Sequence, residues 1–249
     1  MKVALAGRDT ADLLPLIQEV GLQVDEAHPD AVVSYGGDGT FLGAERRWPG
    51  VSKLAIRHSQ TCHKCSDHDD VVVLGRLAKG DLSRTVLIKL AATTKDRRLL
   101  GLNDVTLNKV SPVTGVRYRV WINEQAYSGE IVGDGLVAST PFGSTAYYRS
   151  ITRSFFRVGI GVAFNNSTEQ VDHLILRETD RLRLVIRRGP AILCADNSPE
   201  TVRLEEGDEA WIAKADETAI LLGADILFCN RCLRADGQPF NRLGGLMNL

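Results

Sequence analysis

The chain has 249 residues, of which 44% are hydrophobic, so it can form the core of one large domain or two modest ones. Its formal net charge of −1 argues against a nucleic acid as the main partner, because proteins that track phosphates carry a marked basic excess. No apolar run approaches the length of a membrane span, and the strand-like Val3–Ala6 begins the chain without a signal-peptide segment. We therefore expect a soluble, cytoplasmic protein that has no membrane partner.

Up to about residue 95, strand and helix patterns alternate, which is typical of a parallel α/β domain. The predicted elements are a strand over Lys2–Ala6, an amphipathic helix over Thr10–Val20, a strand over Ala31–Ser34, a glycine-rich loop and a helix over Phe41–Trp48. From about Leu99 onward, β-branched runs separated by Gly, Asn and Asp turns predict a β-rich domain. These runs are Val116–Ile122, Gly135–Ser139, Leu182–Ile186 and Glu209–Ile212.

The glycine-rich loop has the sequence Gly36-Gly37-Asp38-Gly39-Thr40 and lies between the second predicted strand and the helix that follows. Glycines without Cβ atoms let a phosphate approach backbone N–H groups, and the positive end of the helix favours an anion there. Phosphate oxygens would repel Asp38, so this carboxylate orders the loop, acts through a metal ion, or accepts a proton from an attacking hydroxyl. The alternative is a simple tight turn between strand and helix.

A second polar segment runs from Gly133 to Tyr147 and contains the small, hydroxylated stretch Ser139–Thr145. Such a loop offers many hydrogen-bond donors and little bulk, so a sugar or a phosphate can approach its backbone. Tyr147 provides a flat face for a nicotinamide or adenine ring, and Asp134 provides a carboxylate for ribose hydroxyls or an exocyclic amine. The alternative is a serine- and threonine-rich turn between two strands.

These segments resemble the NAD kinase family. The glycine loop lacks the lysine of a Walker loop and the spacing of a dinucleotide fingerprint, but it is similar to the loop of NAD kinases, diacylglycerol and sphingosine kinases, and 6-phosphofructokinases. The Gly-Asp-Gly-Leu and Ser-Thr-Pro-Phe-Gly-Ser-Thr-Ala-Tyr stretches within 133–147 resemble the block that distinguishes NAD kinases. Asn103-Asp104 falls where that family has Asn-Glu.

The resemblance implies an N-terminal Rossmann-like parallel α/β domain over residues 1–95 and a β-sandwich domain over 96–225, with the nucleotides held in a cleft between them. It also implies a tail over 226–249 that returns to the N-terminal domain, and a homo-oligomer, a dimer or a tetramer. The implied reaction is phosphoryl transfer from ATP to the 2′-hydroxyl of the adenosine ribose of NAD, giving NADP.

The resemblance also implies residue roles. Asp38 would orient or deprotonate the attacking hydroxyl, Mg²⁺ bound with ATP would offset phosphoryl charge, and Asn103 and Asp104 would hold the acceptor nucleotide. The remaining nucleotide-binding residues would be Gly36, Gly37, Gly39 and Thr40 around the phosphates, together with Asp134, Ser144, Thr145, Ala146, Tyr147 and Ser150.

Two stretches depart from the family. The Gly-Ile-Asn-x-Gly-x-Leu-Gly-Phe stretch of NAD kinases is replaced by residues 55–62, and the Ser-Ala-Gly-Gly-Pro stretch is replaced by the bulkier residues 150–154. The later Asp-Gly turn is Asp196-Asn197. Two alternatives therefore stay open: a kinase of the same superfamily with a lipid or other hydroxyl acceptor, and a zinc-stapled nucleotide sensor without turnover.

Four of the five cysteines form two Cys-x-x-Cys pairs, Cys62 with Cys65 and Cys229 with Cys232. Two such pairs supply the four thiolates of a tetrahedral structural zinc site, although their separation exceeds that of zinc ribbons. If the tail returns to the N-terminal domain, the two pairs meet there. The sequence therefore predicts a structural Zn²⁺, and the alternative is four ordinary free cysteines.

Overall fold

The computed structural model describes residues 1–56 and 69–227. These residues form two compact units, an N-terminal unit made of the described residues up to Leu87 and from Thr218 onward, and a sandwich unit of Ile88–Glu217. The predicted fold class is confirmed, since a parallel sheet lies in the first unit and antiparallel sheets lie in the second. The boundary lies before residue 95 because the long strands β5 (Arg84–Thr93) and β17 (Glu209–Leu222) run from one unit into the other.

The N-terminal unit contains a parallel sheet whose strands run in the order β4-β3-β1-β2, with the end of β17 paired to β4. Its other strands are β1 (Lys2–Ala6), β2 (Gln23–Val24), β3 (Ala31–Tyr35) and β4 (Ser52–Ile56). Its helices are α1 (Leu14–Glu19), α2 (Asp38–Arg47), α3 (Asp70–Lys79) and α5 (Ala224–Leu227), with a 3₁₀ turn over Thr10–Leu13. Because strand side chains alternate, Val33 packs towards α1 and α3 while Val32 packs towards α2.

The boundaries of these helices follow local chemistry. Asp69 caps α3 by accepting a hydrogen bond from the backbone N–H of Val71, 3.0 Å away, and Gly80 ends the helix in the left-handed conformation. The predicted helix over Thr10–Val20 is instead a 3₁₀ turn followed by α1. Pro15 lies in the first turn of α1, where its missing N–H costs no intrahelical hydrogen bond.

The sandwich unit contains a six-stranded sheet in the order β13-β12-β11-β7-β15-β16 and a second run of strands in the order β10-β8-β14-β17. The remaining strands are β6 (Arg98–Gly101), β7 (Asp104–Lys109), β8 (Val116–Ile122), β9 (Gln125–Ala126), β10 (Ile131–Gly133), β11 (Gly135–Ser139), β12 (Ile160–Asn165), β13 (His173–Leu176), β14 (Leu182–Arg188), β15 (Ala191–Ala195) and β16 (Thr201–Leu204). The unit also has one α-helix, α4 (Tyr147–Thr152), among the described residues.

Alternate side chains of these strands form one apolar core between the two layers. Tyr118 and Leu184 of one layer belong to the same buried cluster as Leu107 and Leu136 of the other. The opposite face of β7 and β11 carries polar residues, including Asp104 and Ser139. One face of the six-stranded sheet thus lies in the apolar core, and the other carries polar residues of the candidate site beside a smaller apolar cluster that contains Val137 and Tyr148.

Among the described parts of the chain, no helix is long and apolar enough to cross a membrane.

Candidate functional site

The glycine loop connects β3 to α2. Within it, Gly36 lies very close to the side chain of Thr40. Gly36 has φ of +153°, and its backbone N–H donates to the carbonyl of Ile56 at 2.8 Å. A Cβ at Gly36 would overlap the Thr40 hydroxyl and lie 3.1 Å from Cβ of Thr40. Gly37 has open space where its Cβ would be. The loop therefore requires glycine at position 36 for its own geometry, and glycine at 37 leaves room for a ligand.

Asp38 is the first residue of α2, so the helix begins one turn before the predicted start at Phe41. The reason is that Gly37 has an extended backbone and its carbonyl accepts hydrogen bonds from the N–H groups of Thr40 and Phe41, at 3.0 and 3.3 Å. A carboxylate in the first turn complements the positive end of the helix. Asp38 thus lies at the N-terminus of a regular helix, with Gly39 and Thr40 in the same turn.

The other end of α2 is fixed by a buried cation. Lys53 of β4 is 0% exposed and forms an ion pair with Glu45 of α2. Its Nζ also donates to the carbonyls of Trp48, at 2.7 Å, and Val51, at 2.5 Å. These contacts hold the C-terminal end of the helix on the sheet, and they position the opposite end, which carries Asp38.

In the sandwich unit, Leu102 and Asn103 form a tight turn between β6 and β7, and Asp104 is the first residue of β7. A Cβ at Gly101 would overlap the carbonyl of Asp104, so the turn requires glycine there. The carbonyl of Leu102 accepts a hydrogen bond from Oγ1 of Thr140 at 2.6 Å. The carbonyl of Asn103 accepts from the backbone N–H of Thr140 at 2.9 Å. The structure thus brings the Asn-Asp pair against the Ser-Thr-Pro loop.

The backbone N–H groups of the same turn all donate hydrogen bonds to Asp196, which follows β15. Its carboxylate accepts hydrogen bonds from the N–H groups of Leu102, Asn103 and Asp104, at 2.8, 2.7 and 3.1 Å. Its own N–H donates to the carbonyl of Asp104 at 3.0 Å. Sequence reasoning identified Asp196 only as part of a turn. The Asp-Asn pair at the end of a strand signals a turn, but it does not indicate a partner more than ninety residues away.

Two buried carboxyl groups, those of Asp104 and Asp196, interact with each other here, and the ammonium group of Lys89 interacts with Asp196. Burial, followed by the charge of Asp196, raises the pKa of Asp104 to about 7. Burial also raises the pKa of Asp196, against the three backbone N–H donors and the charge of Lys89. Lys89 is only 4% exposed, and sequence reasoning missed it because a lysine within a strand is usually on a solvated face. The site therefore holds a carboxyl that changes charge near neutral pH.

Small residues organise the loop that packs on this turn. Oγ1 of Thr140 accepts a hydrogen bond from the N–H of Gly143 at 3.1 Å. The Ser144 hydroxyl is 0% exposed and lies 2.7 Å from the carbonyl of Pro141 and 3.1 Å from that of Phe156. The loop then continues as a 3₁₀ turn over Gly143–Thr145 and reaches α4 after Ala146. The Ser144 side chain therefore holds the loop in shape from inside.

Tyr147 begins α4 and is 38% exposed. Its hydroxyl accepts a hydrogen bond from Nδ2 of Asn165 at 3.0 Å, and its carbonyl accepts one from Oγ of Ser150 at 2.7 Å. The next residue, Tyr148, is fully buried and meets Phe156 edge to face, with ring centroids 5.0 Å apart. Tyr148 therefore anchors the short helix and leaves the Tyr147 ring partly available to a ligand.

Asp134 lies near the same edge, beside the start of β11. It forms an ion pair with Lys109 at 2.6 Å and accepts a hydrogen bond from Nδ2 of Asn166 at 3.2 Å, and both contacts lower the pKa of its carboxyl. The β11–β12 register pairs Gly135 with Asn165, which brings Asp134 and Asn166 to one side. Lys109, Asn165 and Asn166 were not predicted, because strand pairing alone brings them to Asp134 and Tyr147.

The proposed zinc ligands Cys62, Cys65, Cys229 and Cys232 lie outside the described residues. Within residues 1–56 and 69–227, no group of three or more His, Cys, Asp or Glu residues is arranged to hold a metal ion.

Part of the chain matches a known family model and curated relatives. The family model described as the ATP-NAD kinase C-terminal domain matches residues 102–222, beginning at the turn that contains Asn103. An NAD kinase of Lactobacillus delbrueckii subsp. bulgaricus is 28% identical over 170 residues, which are 61% of this chain and 63% of that protein. The chain thus matches less than two thirds of the length of that relative.

Two solved structures share the fold. A crystal structure of an NAD kinase from Archaeoglobus fulgidus in complex with ATP has a TM-score of 0.73 at 17% identity, covering 89% of this chain and 93% of the other. A yeast NADH kinase complexed with NADH has a TM-score of 0.76 at 17% identity, covering 98% and 89%. Residues 102–222 are thus similar to the C-terminal domain of ATP-NAD kinases, and the fold of the chain is that of the two solved structures.

Proposed function

We propose that the protein is an ATP-dependent NAD kinase, which transfers a phosphoryl group from ATP to the 2′-hydroxyl of the adenosine ribose of NAD and forms NADP. One observation carries the proposal. The match to the ATP-NAD kinase C-terminal domain begins at the Asn103 turn and includes the Ser139–Tyr147 loop, and the structure packs these two segments together. The names of the relatives, NAD kinase and NADH kinase, support the same activity.

The sandwich unit supplies groups suited to a nucleotide acceptor. Asn103 offers an amide, Asp104 and Asp134 offer carboxyl groups, and Tyr147 offers a partly exposed ring. An ionised carboxylate accepts hydrogen bonds from ribose hydroxyls, and an aromatic face stacks on a base. We assign acceptor binding to these residues, together with Thr145 and Ala146 of the loop and Ser150 of α4.

The N-terminal unit supplies the phosphate loop. Gly36, Gly37, Gly39 and Thr40 would cradle phosphate groups, because the open space at Gly37 adjoins the N-terminus of α2. Asp38 would orient or deprotonate the attacking hydroxyl. Carboxylate and phosphate oxygens are the hard ligands that Mg²⁺ prefers, and Mg²⁺ bound with ATP would offset the charge of the transferring phosphoryl group.

We also propose a structural Zn²⁺ held by Cys62, Cys65, Cys229 and Cys232. Leu222 of β17 pairs with Leu54 of β4, so the described residues shortly before each cysteine pair are neighbours in one sheet. Four thiolates form a closed tetrahedral site without an open position, so the ion would stabilise the fold and take no part in the reaction.

We further propose a cytoplasmic homo-oligomer, a dimer or a tetramer, that does not act on nucleic acid. The chain's balanced charge supports the last point. Light scattering coupled to size-exclusion chromatography measures the mass in solution, and a monomer at micromolar concentration would contradict the oligomer.

The test of the activity is an enzymatic cycling assay for NADP, run on purified protein with a panel of donors and acceptors. ATP, another nucleoside triphosphate and polyphosphate are compared as donors, and NAD and NADH are compared as acceptors. We expect NADP with ATP and NAD. Nucleotide binding without any NADP or NADPH would favour the sensor alternative, and transfer only to a lipid alcohol would favour the lipid kinase alternative.

A further inference from the structure

The carboxylate of Asp196 lies at the centre of the turn that presents Asn103 and Asp104. Three consecutive backbone N–H groups, those of Leu102, Asn103 and Asp104, point at its two oxygens at 2.7–3.1 Å. Consecutive N–H groups that converge on one point form a site for an anion. Here a side chain of the same protein, from another strand, supplies that anion.

The carbonyl groups of the same turn also accept hydrogen bonds, mostly from the Ser139–Thr140 segment. The Thr140 hydroxyl donates to the carbonyl of Leu102, and the Thr140 backbone N–H donates to that of Asn103. The Ser139 hydroxyl lies 3.2 Å from the carbonyl of Asn103, and the Asp196 N–H donates to that of Asp104. With donors and carbonyls both paired, the peptide planes cannot rotate without breaking several hydrogen bonds, so the direction of the Cα–Cβ bond of Asn103 is fixed.

The charge on Asp196 matters for this arrangement. An ionised acceptor makes shorter and stronger hydrogen bonds than a neutral one, and the positive charge of the buried Lys89 favours the ionised form. A neutral amide of the same size offers one oxygen and replaces the other with an N–H₂ group. That group would face an N–H donor of the turn and repel it.

We propose that Asp196 is a positioning residue of the acceptor site, which fixes the backbone of residues 102–104 so that Asn103 and Asp104 face the acceptor nucleotide. The inference rests on the proposed NAD kinase activity. It assigns to Asp196 no contact with the substrate, and it makes acceptor affinity depend on a residue outside the binding loop.

The test compares Asp196→Asn with Asp180→Asn. Asp180 is a matched control, because its carboxylate also accepts a backbone hydrogen bond, from Arg177 at 2.8 Å, and a side-chain hydrogen bond, from Asn123 at 2.7 Å, in an exposed turn of the same unit. Steady-state kinetics with NAD and ATP varied separately, together with the thermal midpoint, are measured for both variants and the wild type.

For Asp196→Asn we expect KM for NAD to rise about 10-fold to 100-fold, since small displacements of positioning groups cost that much. KM for ATP should stay within about twofold, and Asp180→Asn should leave both constants within about twofold. A residue that only stabilises the fold would lower the active fraction and the thermal midpoint but leave KM unchanged. That result, or a loss confined to kcat, would overturn the inference.

If Asp196→Asn does not fold, Thr140→Val tests the same turn, because it removes the hydroxyl that donates to Leu102. We then expect a rise of about threefold or more in KM for NAD, with KM for ATP preserved. An unchanged KM for NAD in folded Thr140→Val would overturn the proposal. A wild-type protein that forms no NADP would instead refute the proposed activity, so the two failures are distinguishable.

Discussion

Asp38 and Asp70 occupy the same position in two helices of the N-terminal unit, the first residue of a ten-residue helix. Each carboxylate can interact favourably with the positive end of its helix. Only Asp38 is preceded by two glycines. Comparing substitutions at these two positions therefore separates an effect on helix stability from an effect on the reaction.

We predict that Asp38→Asn lowers kcat by about 10²-fold or more, as expected when a general base is lost, and that nucleotide affinity changes much less. Asp70→Asn should cost only the helix-terminus contribution to stability, about 0.3–1 kcal/mol, and leave kcat unchanged. Initial rates of NADP formation measure the first effect and chemical denaturation measures the second. Near-wild-type turnover in Asp38→Asn would leave Asp38 with a role in loop geometry alone.

The raised pKa of Asp104 predicts that the stability of the protein depends on pH. The pKa of its carboxyl is about 7 in the folded protein, against 3.8 for an ordinary aspartate, because of burial and the nearby Asp196. Between about pH 4 and pH 7 the folded state therefore binds more protons at this group than the unfolded state. Stability from Asp104 is greatest at low pH, falls as the pH rises through this window, and stays low above it.

We predict that the stability of Asp104→Asn, which cannot ionise, relative to that of the wild type is about 2–3 kcal/mol greater at pH 8 than at pH 5. Urea unfolding followed by tryptophan fluorescence at both pH values measures this difference. The same variant should weaken NAD binding at pH 8, where the wild-type carboxyl is ionised. An equal stability difference at both pH values would show that Asp104 does not titrate in this window.

At the scale of elements, several strands of the sandwich were predictable from β-branched runs bounded by turn residues. The predicted runs Val116–Ile122 and Gly135–Ser139 are β8 and β11. The start of α2 was not predictable from propensity, since Asp38 and Gly39 are poor helix formers and the Gly37 carbonyl determines where the helix begins.

The candidate site was predictable to the extent that its residues are local in sequence. Ser139–Tyr147 are consecutive in the chain, and their order resembles the NAD kinase block, which predicts a nucleotide-binding role. Asp196, Lys89 and Asn165 belong to strands or turns that pair only in the folded sheet, so their contribution depends on register and not on any local pattern. A single sequence therefore does not predict the residues that contact a motif from distant positions in the chain.

The contact between the loop and the Asn103 turn gives a prediction about Gly143. A Cβ at Gly143 would overlap the backbone of Asn103 and lie 2.6 Å from its Cα, so either the loop or the turn would have to move. We predict that Gly143→Ala destabilises the protein by about 1–3 kcal/mol, as overpacking does, and raises KM for NAD. Gly129→Ala is the control, because a Cβ there would meet open space. Equal effects of the two substitutions would contradict this packing.

At the scale of the whole molecule, the zinc proposal concerns how the chain's last segment is tied to the N-terminal unit. An ion held by both cysteine pairs would close a loop of well over a hundred residues, which the chain-entropy estimate for a comparable cross-link values at about 4–5 kcal/mol. We predict about one zinc per chain in protein purified without chelator or nickel resin.

Cys232→Ser should lower zinc content and the thermal midpoint together. Cys194→Ser is the matched control, because Cys194 lies on β15 and belongs to neither pair. Metal analysis and thermal unfolding test both variants. Folded, metal-free wild-type protein with four titratable thiols from the two pairs would refute the site.

The assignment as an NAD kinase is tested most directly by following the phosphoryl group itself. Purified protein is incubated with Mg²⁺, NAD and ATP labelled in the γ-phosphate, and the products are separated by chromatography. We predict that the label appears in NADP, on the adenosine ribose at the 2′ position, and that Asp38→Asn slows its appearance by about 10²-fold or more. Label that stays in ATP, or that appears only in inorganic phosphate or another alcohol while NAD remains unmodified, would contradict the assignment.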